Sequence, residues 1–177
     1  MPSGRYVRTH IVLAECVRTH KNLGSMSRMP GDITDTWGAL LRVHAALVPR
    51  LDRELQETHG LPLTWYDVLL ELSVAPERRL TMGQLGSVAA VSRTRVSRVV
   101  DELVRAGLVS REPNPDDGRS AFAALTPVGR TALRKAAPTY VAAVRREFAD
   151  HLTVREAEVL TGALRKVLSA GADRVVG

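Results

Sequence analysis

From Ile33 onward the apolar residues return at helical spacing. Ile33, Trp37, Leu40, Leu41, His44, Leu47, Val48, Leu51 and Leu55 mark one face of a helix. The pattern predicts a helix over about 33–58, with Gly60 as its stop. Pro49 lies inside it and is expected to kink it, because proline has no N–H to give to the turn before. Three threonines then repeat one design: Thr64-x-x-Asp67, Thr81-x-x-Gln84 and Thr153-x-x-Glu156. Each sets a hydroxyl three residues before an acceptor side chain, the arrangement that satisfies free N–H groups at a helix start. These spacings predict helices over about 64–75, 81–89 and 153–169, the first ended by Pro76. Ser92 opens a further helix, 92–106, closed by Gly107.

After Gly107 the period changes from helical to alternating. Leu108 to Glu112 and Ala121 to Leu125 read as two short strands, joined by the turn-forming run Pro113-Asn114-Pro115-Asp116-Asp117-Gly118-Arg119-Ser120. Thr126-Pro127 supplies an N-cap followed by proline at the first helical position. A helix to about Phe148 is expected there, bent at Pro138. The expected fold is mostly α with a small β-hairpin wing: a winged helix-turn-helix flanked by N- and C-terminal helices.

The pair 81–89 and 92–106, separated by a tight turn at Ala90-Val91, is the helix-turn-helix candidate. On the second helix Val96, Val99, Val100 and Leu103 gather on one side at about 100° per residue and must face a core. The other side presents Thr94, Arg98, Asp101 and Arg105, flanked by Arg95 and Ser97, with Arg93 at the start. Its first two turns thus hold three arginines and no acid. Base edges in a DNA major groove are read by such side chains: arginine forks onto guanine, and Ser or Thr reaches base or phosphate. The helix start also favours phosphate. Ser92, Arg93, Thr94, Arg95, Ser97 and Arg98 are therefore the central DNA-contact candidates, joined by Thr81 and Gln84 at the start of the preceding helix. An ordinary solvated, arginine-rich face is the competing account. The hairpin tip favours DNA, because a basic Arg119 on a protruding ribbon can enter a minor groove. Asp117 is ill placed to touch phosphate and suits a role in positioning a nearby arginine.

Taken together, these segments resemble the MarR family of regulators over about Asp32 to Ala170. The resemblance is carried by Leu63-Thr64-Trp65-Tyr66-Asp67-Val68-Leu69-Leu70-Glu71-Leu72, by Val91-Ser92-Arg93-Thr94-Arg95-Val96-Ser97-Arg98-Val99-Val100-Asp101-Glu102-Leu103, and by Ala106-Gly107-Leu108-Val109. The wing piece Asn114 to Ser120 follows, leading into Leu125-Thr126-Pro127-Val128-Gly129-Arg130. It implies a dimer whose first and last helices interlock, so that two winged domains straddle a palindrome in double-stranded DNA. It also implies that Arg119 is the wing-tip minor-groove residue with Asp117 as its structural partner, and that repression is the default effect. Ala90 departs from the glycine of many relatives, Pro49 interrupts the first helix, and residues 1–30 match nothing in the family pattern.

Composition narrows the alternatives. The chain has 177 residues, 45% apolar and 25% charged, with a formal net charge of +6. Most of the excess sits in residues 1–30, where Arg5, Arg8, Arg18, Lys21 and Arg28 face Glu15 alone, so bulk charge is a weak argument for nucleic acid. That stretch carries Val-Arg-Thr-His twice and ends in Gly24-Ser25-Met26-Ser27-Arg28-Met29-Pro30. It reads as a loose or disordered arm, or as an overlong start preceding Met26 or Met29. No run approaches the roughly 18 uncharged apolar residues of a membrane helix, and the expected location is the cytoplasm. Cys16 is the only cysteine, which excludes an internal disulfide and a thiolate zinc site. The five histidines show no metal-ligand spacing. No catalytic or phosphate-loop motif is present, so no enzyme, metal or cofactor is expected.

The resemblance further implies a small, often aromatic, effector bound between the dimer helices and the winged domain. By position Trp37, His44, Trp65, Tyr66 and Asp67 are the candidate pocket residues. Set against that, Trp37 and Tyr66 read as core, Asp67 as part of the helix cap, and His44 as a buried, satisfied histidine. Two alternatives stand beside the ligand-released repressor. One is a redox regulator using Cys16, disfavoured by the adjacent Glu15, which should raise the thiol pKa. The other is a winged-helix protein-interaction module, which has no need of Arg93, Arg95, Arg98 and Arg119 together.

Overall fold

The first helix forms as its spacing requires: α1 spans Ile33–His59 and continues through Pro49. The structure, a computed structural model, describes residues 33–89, 93–115, 117 and 120–172. The basic arm, Cys16, the Ala90-Val91 turn, Ser92 and Arg119 lie outside the described residues. The chain divides into two compact units between Arg50 and Leu51. In the first, Trp37, Leu40 and Val43 of α1 are exposed, and so is His44. The expectation that Trp37 and His44 are core residues is therefore corrected. Their spacing marked a face, but among the described residues both side chains are exposed.

The second unit contains α2 (Leu63–Val74), β1 (Arg79–Thr81), α3 (Met82–Val88), α4 (Arg93–Arg105), β2 (Val109–Pro113), β3 (Ala121–Leu125), α5 (Pro127–Glu147) and α6 (Val154–Ala172). The three strands form an antiparallel sheet in the order β1-β3-β2, with Leu80 and Arg111 on either side of Ala123. Strand β1 carried no sequence signal, since three residues are too few to show alternation. It forms because β3 offers a second edge to pair with. A 3-10 turn, Pro76–Arg78, leads into it with Glu77 and Arg78 both in the left-handed region.

Helix α2 is the hub, packing on α3, α4, α5 and the sheet. Val68, Leu69 and Leu72 are fully buried there with Leu85 of α3 and Val100 and Leu103 of α4. Tyr66 is buried too, its ring centroid 4.5 Å from that of Tyr140 on α5.

The start of α2 corrects another expectation. Thr64 is not its N-cap: Pro62 occupies that position, with no side-chain cap hydrogen bond. A residue of α1 serves instead, for the Leu63 N–H donates to Asp52 Oδ1 at 2.8 Å. Proline at the cap has no side-chain acceptor, so the free N–H found one eleven residues upstream. The other two boxes form. Gln84 N–H donates to Thr81 Oγ1 (3.2 Å) while Thr81 N–H donates to Gln84 Oε1 (2.9 Å). Thr153 N–H donates to Glu156 Oε2 at 2.8 Å, and these Thr153 hydrogen bonds hold the Glu156 carboxyl below its ordinary range.

Leu125-Thr126-Pro127-Val128-Gly129 fastens α5 to the turn after α4. Thr126 Oγ1 donates to the Gly107 and Leu108 carbonyls (2.8 and 3.0 Å) and accepts from the Gly129 N–H at 3.0 Å. A Cβ at Gly129 would lie 2.0 Å from the Leu108 carbonyl oxygen, so only glycine allows this approach. Gly107 itself sits at φ +70 and ends α4, its N–H donating to the Val104 carbonyl and that of Leu108 to the Leu103 carbonyl.

Candidate nucleic-acid interface

Helix α4 folds as a two-faced element. Val96, Val99, Val100 and Leu103 are buried, as the spacing required. Ser97, Arg98, Asp101 and Arg105 are exposed on the other side, and Arg95 is half-buried at the edge. At Arg93 and Thr94 only the backbone is described; both lie in the first turn. The outward face therefore begins basic, and its first acid, Asp101, is paired: Arg111 Nη2 of β2 donates to Asp101 Oδ1 at 2.7 Å.

Thr81 and Gln84 are brought together at the start of α3, where the capping box holds both polar groups against each other. Their hydrogen bonds set the direction of α3 into the helix-turn-helix. Across the described wing, the Asn114 amide donates to Ser120 Oγ (2.7 Å) and the Ser120 N–H to the Asp117 carbonyl (2.9 Å). The turn between β2 and β3 is closed by these contacts, with Asp117 exposed beyond them.

The effector candidates do not share one environment. Trp65 Nε1 donates to Glu102 Oε2 of α4 at 3.0 Å, so this indole braces the two helices. Sequence reasoning missed this bond, because no local spacing links residues 37 positions apart. Tyr66 is core, its hydroxyl pKa raised chiefly by burial. Asp67 caps nothing. It is half-buried on α2, and desolvation, then repulsion from Glu71, pushes its carboxyl up from 3.8 to about 6. Trp37 and His44 are exposed on α1. Elsewhere in the second unit an open cleft of about 480 Å³ lies between His59 and Leu61 on one side and Val128, Thr131 and Lys135 of α5 on the other.

Comparison with known proteins agrees with this geometry. A MarR family model matches residues 59–120, which span α2, the helix-turn-helix and the wing up to Ser120. The HTH-type transcriptional regulator YkoM of Bacillus subtilis is 33% identical over 108 residues, covering 61% of this chain and 68% of that protein. Among solved structures, Sco3205 of Streptomyces coelicolor, a MarR family transcriptional regulator in complex with DNA, is similar at TM-score 0.74 and 35% identity. That match covers 81% of this chain and 93% of Sco3205. AbsC, a MarR family regulator from the same organism, gives TM-score 0.74 and 31% identity over 84% of this chain and 99% of its own. With its winged helix-turn-helix and these relatives over most of their length, the chain belongs to the MarR family of transcriptional regulators.

Proposed function

We propose that this protein binds palindromic double-stranded DNA as a homodimer and represses transcription until a small ligand releases it. The observation that carries the reading is the outward face of α4. Its inward valines are sealed in the core, so the arginine-bearing side is rigidly presented beside a wing. Arg98, with Arg95 and Ser97, would read base edges in the major groove, and Arg119 would enter the minor groove at the wing. That Sco3205 was solved with DNA supports the assignment. A dimer is supported by large apolar side chains that stand exposed among the described residues: Trp37, Leu40 and Val43 on α1, and Val167 and Leu168 on one side of α6. The cleft beside α5 supports ligand release. Its largely apolar walls, with Lys135 and His59, suit a small apolar acid.

The test is selection from a randomised operator library by the native chain and by Arg98→Ala and Arg119→Ala. Loss of Arg98 should cost roughly 1–3 kcal/mol and relax preference at one base pair per half-site. Loss of Arg119 should weaken binding while leaving central base preferences intact, with lost selectivity confined to flanking A·T-rich positions. If both variants select as the native chain does, the winged helix is not a DNA reader, and the interaction-module account takes its place.

A further inference from the structure

The wing is fastened on both of its faces, by two neighbouring residues of β2. Alternation along a strand sends Arg111 and Glu112 to opposite faces of the sheet. Arg111 pairs in register with Ala123, and its reach to Asp101 places it on the face turned toward α4. There it donates to Asp101 Oδ1 at 2.7 Å. Glu112 pairs with Phe122 on the other face, where Arg79 of β1 lies 4.7 Å from the Phe122 ring centre and 3.5 Å from Glu112 Oε2. Asp101 is at the same time the first acid on the outward face of α4. An acid there would repel phosphate unless something holds it, and Arg111 is what holds it.

From this arrangement we infer that Arg111, through Asp101, is a positioning residue for DNA recognition: the pair fixes the offset between α4 and the wing. The inference rests on the DNA-binding reading above. A helix in the major groove and a ribbon in the adjacent minor groove must meet one duplex in a single register. The two elements are joined through the short turn from Ala106 to Leu108 and through the packing of β2 on α4. An ion pair farther along β2 removes the remaining hinge freedom. Both partners are partly solvated, so the pair is worth little to overall stability. Its effect is expected in selectivity rather than in melting.

Asp101→Asn separates positioning from simple charge. It deletes an acid from the DNA-facing helix, so charge alone predicts tighter binding to every sequence. Positioning predicts the opposite for the selected operator: a loss of about two- to fivefold per half-site relative to random DNA, the range expected for a partly exposed pair. That loss should fall at the flanking positions read by the wing. Arg111→Gln should show the same flanking loss, Arg111→Lys should retain most of the preference, and the reversed pair D101R/R111D should regain it. Thermal unfolding of each variant should stay within a few degrees of the native chain, since neither residue is in the core. Two results overturn the inference. One is an Asp101→Asn chain that selects as sharply as the native one. The other is a loss that the reversed pair does not recover, which would mean the two charges meet DNA separately. A native chain that selects no site at all defeats the functional reading itself, and this inference with it.

Discussion

Helices α4 and α6 are written in the same pattern and end in opposite situations. Each carries valines and leucines at helical spacing along one side. On α4 these residues are sealed: Val96, Val99, Val100 and Leu103 are at most 3% exposed. On α6 Leu160, Leu164, Val167 and Leu168 share one side; Val167 and Leu168 are 70% and 73% exposed, and none of the helix's described side chains is buried. An apolar stripe declares that a face must be covered. It does not say whether the cover lies in the same chain. Among the described residues the winged core buries its apolar side, while α6 and the early part of α1 keep theirs exposed.

The comparison can be broken first at its closed end. Leu103→Ala removes a fully buried side chain from α4 and should cost about 2–5 kcal/mol. The fall in thermal midpoint should be seen at every protein concentration. An unchanged midpoint would mean that the core tolerates a cavity where the packing says it cannot.

At the open end the expected effect is on assembly. Leu164→Asp with Leu168→Asp should convert dimers to monomers in sedimentation, with helical content largely kept. Burying either unpaired carboxylate at an interface costs on the order of several kcal/mol. The native midpoint should rise with protein concentration, as mass action requires, and that of the variant should not. A native chain that sediments as a folded monomer would show that the stripe on α6 needs no cover.

A smaller effect tests Asp67, the half-buried carboxyl on the hub helix α2. Asp67 holds its proton more tightly folded, at about 6, than unfolded, at 3.8. Its protonation therefore favours folding. That contribution is fully present below the unfolded value and is lost as pH rises through about 6, leaving the ionised carboxylate as a cost near neutrality. Asp67→Asn should stabilise the protein by about 1 kcal/mol near pH 7.5, after allowance for partial solvation, and by nothing near pH 4. Equal stabilisation at both pH values would show that the carboxyl is not strained by its surroundings.

What could be read from the residues was mostly local. The valine stripe of α4, the capping boxes at Thr81 and Thr153, the Thr126-Pro127 start and the paired strands of the wing each rest on contacts within a few positions, and each formed. Contacts between distant residues left no comparable trace. Asp52 caps α2, Trp65 braces Glu102, β1 joins a sheet edge, and Arg111 holds Asp101. In each case either partner alone is an ordinary polar residue or a three-residue run, and meaning comes from the neighbour that folding supplies.

The sequence by itself determined which side of α4 is buried, where most helices begin, and which arginines a recognition helix would present. Periodicity, caps and turn chemistry act along the chain and survive being read in one dimension. Only the tertiary structure decided that Trp37 stays uncovered, that Asp67 is half-buried rather than capping, and that the wing is tied to α4. Burial, desolvation and ion pairing depend on what arrives from elsewhere in the fold, and no spacing rule carries that information.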